Sequence, residues 1–251
     1  MKKPKVIIIA GGKGERLRPL TNKIAKPMVK VGGKSVLEHN LDLFKKYGFT
    51  EFIFALCYLP ETITSYFGDG KKFGVSIDYT FEKPEVPLGT AGAVTLAKDK
   101  ISDTFIVTYG DSIRVLDVKA MLDYHKKKGA FATIGVYKRL GPDPKSTILF
   151  SDEGRIKEFK ERPSPDDIKG DFVWSNAAFY IFEPVIFDYI KESETVDPDL
   201  IGVDFGKDVF PAVLADKKEI YAFPMEGYFV DIGNIEKLEK ANRDFAKGLI
   251  K

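Results

Sequence analysis

Six residues near the start of the chain, Gly11-Gly12-Lys13-Gly14-Glu15-Arg16, join backbone freedom to positive charge directly after the apolar run Val6-Ile7-Ile8-Ile9-Ala10. A short β-branched run bounded by glycines reads as a buried strand that empties into a loop. Glycines there let backbone N–H groups approach an anion or a flat ring without interference from a Cβ. The chemistry suggested is phosphate binding. Spacing removes two familiar phosphate loops. A dinucleotide fingerprint needs a third glycine three residues after the second, and Leu17 stands there. A P-loop needs Gly-Lys followed by Ser or Thr, and Gly12-Lys13 is followed by Gly14.

Two carboxylates further along sit at the ends of strand-like runs. Asp111 follows the strand-like 105–109 and Gly110, and Asp231 closes the apolar Tyr228-Phe229-Val230. Ligands of open α/β sheets bind at the carboxyl ends of strands. Two carboxylates, with phosphate oxygens and waters completing an octahedron, suit Mg²⁺. A helix-cap or turn role is the alternative, above all for Asp111 before Ser112. Arg16 and Lys26 supply cations of different kinds. Arginine offers a planar fork for two phosphate oxygens, and lysine a mobile point charge. Lys13, Arg18, Lys23 and Lys30 read as solvated surface charges.

The pattern Gly-Gly-x-Gly-x-Arg-Leu-x-Pro-Leu-Thr, running to Thr21, is followed by Lys26-Pro27-Met28 at the head of Val29-Lys30-Val31-Gly32-Gly33-Lys34. This combination resembles the sugar-nucleotide pyrophosphorylases, also called sugar-1-phosphate nucleotidyltransferases. The resemblance implies attack by a sugar-phosphate oxygen on the α-phosphorus of a nucleoside triphosphate, expelling pyrophosphate and leaving a nucleotide-sugar. The attacking phosphate is already ionised, so alignment and electrostatic stabilisation carry the reaction, with Mg²⁺ bridging phosphate oxygens. By the same resemblance Arg16, Lys26 and Asp111 are catalytic, and Asp111 and Asp231 hold the metal. Ala10, Gly11, Gly12, Gly14, Glu82, Gly89 and Thr90 are the expected nucleotide-binding residues.

Later segments extend the likeness. Glu158-Phe159-Lys160-Glu161-Arg162-Pro163 resembles a Phe-x-Glu-Lys-Pro segment in which the glutamate takes sugar hydroxyls and the lysine the sugar phosphate. Arg162 stands where lysine is usual. Ser175-Asn176-Ala177-Ala178 resembles an Asn-Ala-Gly segment whose asparagine reads sugar hydroxyls, with Ala178 where glycine is common. Glu161, Arg162 and Asn176 are therefore the expected sugar-phosphate-binding residues. Pro87-Leu88-Gly89-Thr90-Ala91-Gly92-Ala93 resembles the loop of relatives that use GTP. A carboxylate at Glu82 can accept two hydrogen bonds from guanine N1–H and the exocyclic amine; its plain alternative is a loop carboxylate beside Lys83. The closing segment around Asp231 resembles relatives acting on mannose or manno-heptose 1-phosphate. The stretch from Tyr109 to His125 resembles glucose-1-phosphate cytidylyltransferases. GTP with mannose or manno-heptose 1-phosphate is the first expectation; cytidylyl, thymidylyl or uridylyl transfer to glucose 1-phosphate is the alternative. A non-catalytic nucleotide-sugar-binding regulatory subunit is the rival from another class.

The elements that must position these residues alternate strand and helix through the first half, which predicts a parallel sheet with helical crossovers. Ser35-Val36-Leu37-Glu38 is a capping box that opens a helix with Leu37, Leu41 and Phe44 on one face. Helices are predicted from Pro60, over 90–97, and through Lys128 from the cap Asp117, with Val118, Met121, Leu122 and His125 on one face. From Phe131 the chain turns to strands, at 131–137, 148–150, 156–159 and 172–182. Helical pieces at 184–191 and 207–215, strands at 220–223 and 228–230, and a helix from Ile235 complete it. The expected fold class is α/β: a Rossmann-like nucleotidyltransferase fold, with a mostly parallel central sheet flanked by helices and a small β-rich sugar-binding part. One domain over 1–251 is expected, with a nucleotide-binding half to about 130 and a sugar-phosphate-binding half from about 131. No left-handed β-helix hexapeptide repeat is found, so no C-terminal β-helix is expected.

Composition bounds the partners. The 39 basic and 37 acidic residues nearly cancel to +2, which argues against broad nucleic-acid or membrane binding. Cys57 stands alone in a strand-like setting and reads as a small buried apolar residue. No signal pattern or membrane-length apolar stretch appears, so the expected location is cytoplasmic. The expected partners are a nucleoside triphosphate and a sugar 1-phosphate, with room for a homo-oligomer. His39 and His125 fit no metal-ligand spacing.

Overall fold

A computed structural model describes residues 3–140, 145–164, 168, 171–190 and 202–250. In chain order the elements begin β1 (Val6–Ile9), β2 (Lys30–Val31), β3 (Lys34–Ser35), α1 (Val36–Lys46), β4 (Glu51–Leu56), α2 (Pro60–Phe67) and β5 (Ser76–Phe81). There follow α3 (Gly89–Thr95), β6 (Phe105–Tyr109), β7 (Ser112–Arg114), α4 (Val118–Lys128), β8 (Ala132–Leu140), β9 (Ser146–Phe150), β10 (Ile156–Glu161) and β11 (Phe172–Phe182). The last are α5 (Phe210–Ala215), β12 (Ile220–Pro224), β13 (Phe229–Asp231) and α6 (Ile235–Ala246). The chain divides into two compact units. The first comprises residues up to Glu85, Thr108–Val118 and the stretch from Gly227; the second comprises Val86–Val107 and Lys119–Glu226.

In the first unit β1 runs parallel to β4, with Val6 opposite Phe52 and Ile9 opposite Ala55. Strand β4 runs parallel to β5 in turn, from Glu51 opposite Ser76 to Leu56 opposite Phe81. Val6, Ile7 and Ile8 are fully buried, as a parallel strand covered on both faces requires. The predicted capping box is present: Ser35 Oγ accepts the Glu38 N–H at 3.1 Å and Glu38 Oε2 accepts the Ser35 N–H at 2.9 Å. Such a cap contributes about 1 kcal/mol. Leu37, Leu41 and Phe44 are buried along α1. A small antiparallel pair, β7 with β13, sets Asp231 opposite Ser112 and Val230 opposite Ile113. Leu17, Val29, Val36, Ile113, Val230, Ile232 and Leu238 form one buried cluster. That cluster fixes the 3₁₀ turn Glu15–Leu17 relative to β7, β13 and α6.

In the second unit β8 pairs parallel with β12 and antiparallel with β11, and β9 pairs antiparallel with β10. The β8–β11 ladder breaks between Asn176 and Tyr180. Tyr180, Phe182, Phe205 and Phe210 pack as a ring cluster with centroids 5.2–6.3 Å apart. Met121 and His125 of α4 are buried. The architecture is the α/β fold expected, a mostly parallel sheet with flanking helices.

Several boundaries differ from the pattern-based ones. The helix predicted over 90–97 is α3, ending at Thr95. The piece at 207–215 is a π-helical turn, Phe205–Val209, continued by α5. Residues 184–191 give a 3₁₀ turn, Pro184–Tyr189, followed by Ile190; residue 191 lies outside the described residues. Strands β2, β3 and β7 were not anticipated, since runs of two or three residues carry no readable period.

Candidate active site

The glycine loop follows β1 in the first unit. A Cβ placed on Gly11 would lie 2.9 Å from Cys57 Cβ and 3.1 Å from Glu82 Oε1, so the backbone passes where no side chain fits. Gly12 has nothing within 4 Å of its Cβ position and is open on that side. Gly14 has a left-handed φ of 65°, and a Cβ there would meet Lys26 Cβ at 3.0 Å. Thr21 donates its hydroxyl to Gly14 O at 2.7 Å and locks the turn. The glycine loop and Lys26 are thus packed against each other, which explains why the motif extends that far.

Lys26 opens the 3₁₀ turn Lys26–Met28 and pairs with Asp111 Oδ2 at 2.5 Å. Its side chain is 12% exposed and that of Asp111 25%. The backbone brings the second carboxylate alongside: Asp231 faces Ser112 across the β7–β13 pair, and the Ile232 N–H donates to Asp111 O at 2.9 Å. Asp231 Oδ2 in turn pairs with Lys237 Nζ at 3.2 Å. Arg16 reaches the same place, since its Nη2 and Asp231 Oδ2 each lie 3.3 Å from the Cβ position of Gly233. Arg16, Lys26 and Lys237 together outnumber the two carboxylates, a balance suited to a polyanion. Among the described residues no group of three or more His, Cys, Asp or Glu forms a metal cluster. Asp111 and Asp231 fit a hard, oxygen-seeking cation that draws further ligands from substrate oxygens and water.

Glu82 follows β5, its N–H donating to Leu56 O at 2.8 Å. Its carboxylate lies beside Gly11 and Cys57. Burial, with the Glu82 charge second, pushes the Cys57 thiol above its ordinary range, so Cys57 is an inert buried residue.

The remaining predicted residues belong to the second unit. Glu161 ends β10 opposite Ser146 of β9. Ser146 Oγ also accepts the Asn176 N–H at 2.9 Å. One serine on β9 thus touches the strands that carry both expected sugar-binding side chains. Burial, then the neighbouring Asp204, raise the Glu161 pKa to about 7, against Arg162, Lys145 and Lys207. Arg162 has a left-handed φ of 49°, and its N–H donates to Lys145 O at 2.8 Å. Asn176 holds the β11 bulge: Oδ1 accepts the Ala178 N–H at 2.9 Å and Nδ2 donates to Tyr180 Oη at 2.8 Å. One lone pair and one N–H of the amide are left beyond those bonds. Ala178 has a φ of 51°, in the left-handed region that favours glycine. Gly89 and Thr90 start α3, and the Thr90 hydroxyl donates to Asp204 Oδ2 at 2.7 Å.

Sequence reasoning missed Lys237 and Asp204. Lys237 had a signal. It is the third residue of α6, after the cap Asn234, where a cation opposes the helix dipole; Asp231 offsets it. Asp204 belongs to none of the motifs described above.

Comparison with known proteins places these features in a family. A family profile described as nucleotidyl transferase matches residues 5–248. The chain is 34% identical over 252 residues to a UTP–glucose-1-phosphate uridylyltransferase of Synechocystis, covering 95% of this chain and 62% of that protein. It is 32% identical over 248 residues to the mannose-1-phosphate guanylyltransferase of Mycobacterium tuberculosis, covering 97% and 65%. The chain therefore spans less than two thirds of either protein's length. Among solved structures it is similar to HddC of Yersinia pseudotuberculosis complexed with GMP-PN, at a TM-score of 0.75 and 25% identity, with 97% of this chain and 100% of that one covered. With the glycine loop, its lysine and the paired strand-end carboxylates in place, the chain belongs to the nucleotidyl transferase family.

Proposed function

We propose that this chain transfers a nucleotidyl group from a nucleoside triphosphate to a sugar 1-phosphate, giving a nucleotide-sugar and pyrophosphate. The observation that carries the reading is the β7–β13 register, which sets Asp231 beside Asp111, each paired with a lysine, next to Arg16. In this reading Asp111 and Asp231 hold Mg²⁺, which when bound draws phosphate oxygens together and neutralises their charge. Lys26 stands at the reacting α-phosphate and Arg16 takes the leaving pyrophosphate. Backbone N–H groups of Gly11, Gly12 and Gly14, with Ala10, carry the triphosphate. Glu161 and Asn176 accept sugar hydroxyls, and Arg162 takes the sugar phosphate. No general base is needed, because the attacking oxygen is already anionic.

The base in this reading is guanine and the acceptor mannose or manno-heptose 1-phosphate. Support comes from Glu82 at the glycine loop, from the likeness to HddC complexed with GMP-PN, and from the mannose-1-phosphate guanylyltransferase relative. The uridylyltransferase relative favours the alternative, transfer to glucose 1-phosphate with a pyrimidine nucleotide. The test is pyrophosphate release with Mg²⁺, the four common triphosphates and TTP against a panel of sugar 1-phosphates. Turnover fastest with GTP and a mannose-type acceptor is expected. Silence across the panel with nucleotide binding intact would leave the regulatory-subunit reading in its place.

A further inference from the structure

Asp204 has no part in the reading above, yet its carboxylate ties two segments of the second unit together. Oδ1 accepts the N–H groups of Gly206 at 2.8 Å and Lys207 at 3.2 Å, and Oδ2 accepts the Thr90 hydroxyl. Thr90 Oγ1 accepts the Phe205 N–H at 3.1 Å in return. The backbone is stitched in both directions: Val203 N–H donates to Leu88 O at 2.8 Å, while Ala91 and Gly92 N–H groups donate to Val203 O at 2.8 and 3.2 Å. The Asp204 N–H donates to Asp208 Oδ2 at 2.6 Å. On the far side, a Cβ at Gly206 would lie 2.7 Å from Glu161 Oε2 and 3.3 Å from Asp204 Oδ1. The Glu161 carboxylate therefore packs on the one residue of the π-helical turn that leaves it room.

We propose that Asp204 is a positioning residue for acceptor binding: it clamps the 88–92 loop through Thr90 and acts through its negative charge on Glu161 across the Gly206 backbone. The proposal rests on the reading of Glu161 as the carboxylate that accepts sugar hydroxyls. An ionised carboxylate accepts such hydrogen bonds through both oxygens, whereas protonation turns one oxygen into a donor and leaves the other a weaker acceptor. Burial and Asp204 act together on Glu161 against the cations Arg162, Lys145 and Lys207, so its ionisation falls near neutral pH. Acceptor binding then weakens on mild acidification, and Asp204 sets where.

Two variants separate the clamp from the charge. Asp204→Asn keeps an acceptor for Gly206 and Lys207 and removes the charge; Thr90→Val keeps the charge and removes the hydroxyl. In the wild type, KM for the sugar 1-phosphate is expected to be roughly five- to tenfold higher near pH 6 than near pH 8. Substrate ionisation is common to all the proteins and cancels in the comparison. Asp204→Asn is expected to shrink that ratio to less than about threefold, while Thr90→Val keeps it. Thr90→Val is expected to speed amide exchange of residues 88–92 and 203–206 by on the order of tenfold. An unchanged ratio in active Asp204→Asn overturns the charge role, and unchanged exchange in Thr90→Val overturns the clamp. A wild type silent with every substrate pair overturns the acceptor reading itself, and the exchange result then judges the clamp alone.

Discussion

Lys26 and Asp111 form an ion pair of 2.5 Å that joins the end of the glycine-loop motif to the residue preceding β7. The pair is held from both sides. Gly14 packs on the Lys26 stem, and Asp111 is fixed by the hydrogen bond from Ile232 to its carbonyl. A cation so placed is already ordered before a substrate arrives, which lowers the entropic cost of aligning a phosphate.

Removing either carboxylate charge is expected to remove turnover and spare the fold. Asp111→Asn and Asp231→Asn keep side-chain volume, and each side chain is partly exposed. Pyrophosphate release is expected to fall by on the order of a hundredfold or more in each, with a near-native melting temperature. Near wild-type rates in one of them would strike that residue from the metal site. Chelation by EDTA is expected to stop the wild type, and added Mg²⁺ to restore it.

The first two glycines of the loop are expected to respond in opposite ways. Gly11→Ala meets Cys57 Cβ and should destabilise by about 1–3 kcal/mol. Cys57→Ala retains the offending atom and gives no relief, whereas Cys57→Gly removes it. Gly12→Ala meets nothing, so its melting temperature should stay near wild type while affinity for the triphosphate falls. Differential scanning calorimetry beside nucleotide titration distinguishes these outcomes. A stable Gly11→Ala protein would contradict the packing described.

Ala178→Gly is expected to stabilise the protein. The left-handed φ of 51° costs an alanine about 1–2 kcal/mol, against about 0.5–1 kcal/mol of added freedom for glycine in the unfolded chain. A net gain of roughly 0.5–1 kcal/mol should raise the melting temperature by about 1–4 °C. A lower melting temperature would show that the alanine methyl contributes packing that outweighs the strain.

His125 should make the fold acid-sensitive. Its ring meets Thr133 Oγ1 at 2.8 Å and Glu183 Oε1 at 3.1 Å, and burial depresses its pKa despite Glu183. A depressed histidine pKa means the unfolded chain binds the proton more readily, so stability is lost as pH falls below about 6.5. Glu161 gives the opposite slope, because its folded pKa of about 7 lies above the ordinary 4.5. Comparing urea midpoints of wild type and His125→Asn at several pH values cancels the Glu161 contribution. The wild type should lose more stability on acidification than the variant; parallel curves would refute the assignment.

Much of the first unit is written locally in the sequence. The run before Gly11, the Ser35–Glu38 box and the Leu37, Leu41, Phe44 face each depend on neighbours within a few residues, and each is present. What could not be read depends on distant partners. Ser112–Arg114 is a strand only because Phe229–Asp231 pairs with it. The π-helical turn at Phe205 depends on Asp204 and on Thr90, more than a hundred residues earlier. Lys237 gains its meaning from Asp231 on the preceding strand. Half of the Asn176 amide secures a bulge, which no local pattern signals.

The first unit is closed by residues that follow the whole of the second. On the ribosome, Asp111 emerges long before Asp231, and β7 waits without its antiparallel partner while more than a hundred residues are added. The two acids therefore meet only late in synthesis, and a nascent chain interrupted before Gly227 carries the glycine loop and Asp111 without Asp231. The pairing that sets the two acids side by side waits for one of the last segments of the chain to be made.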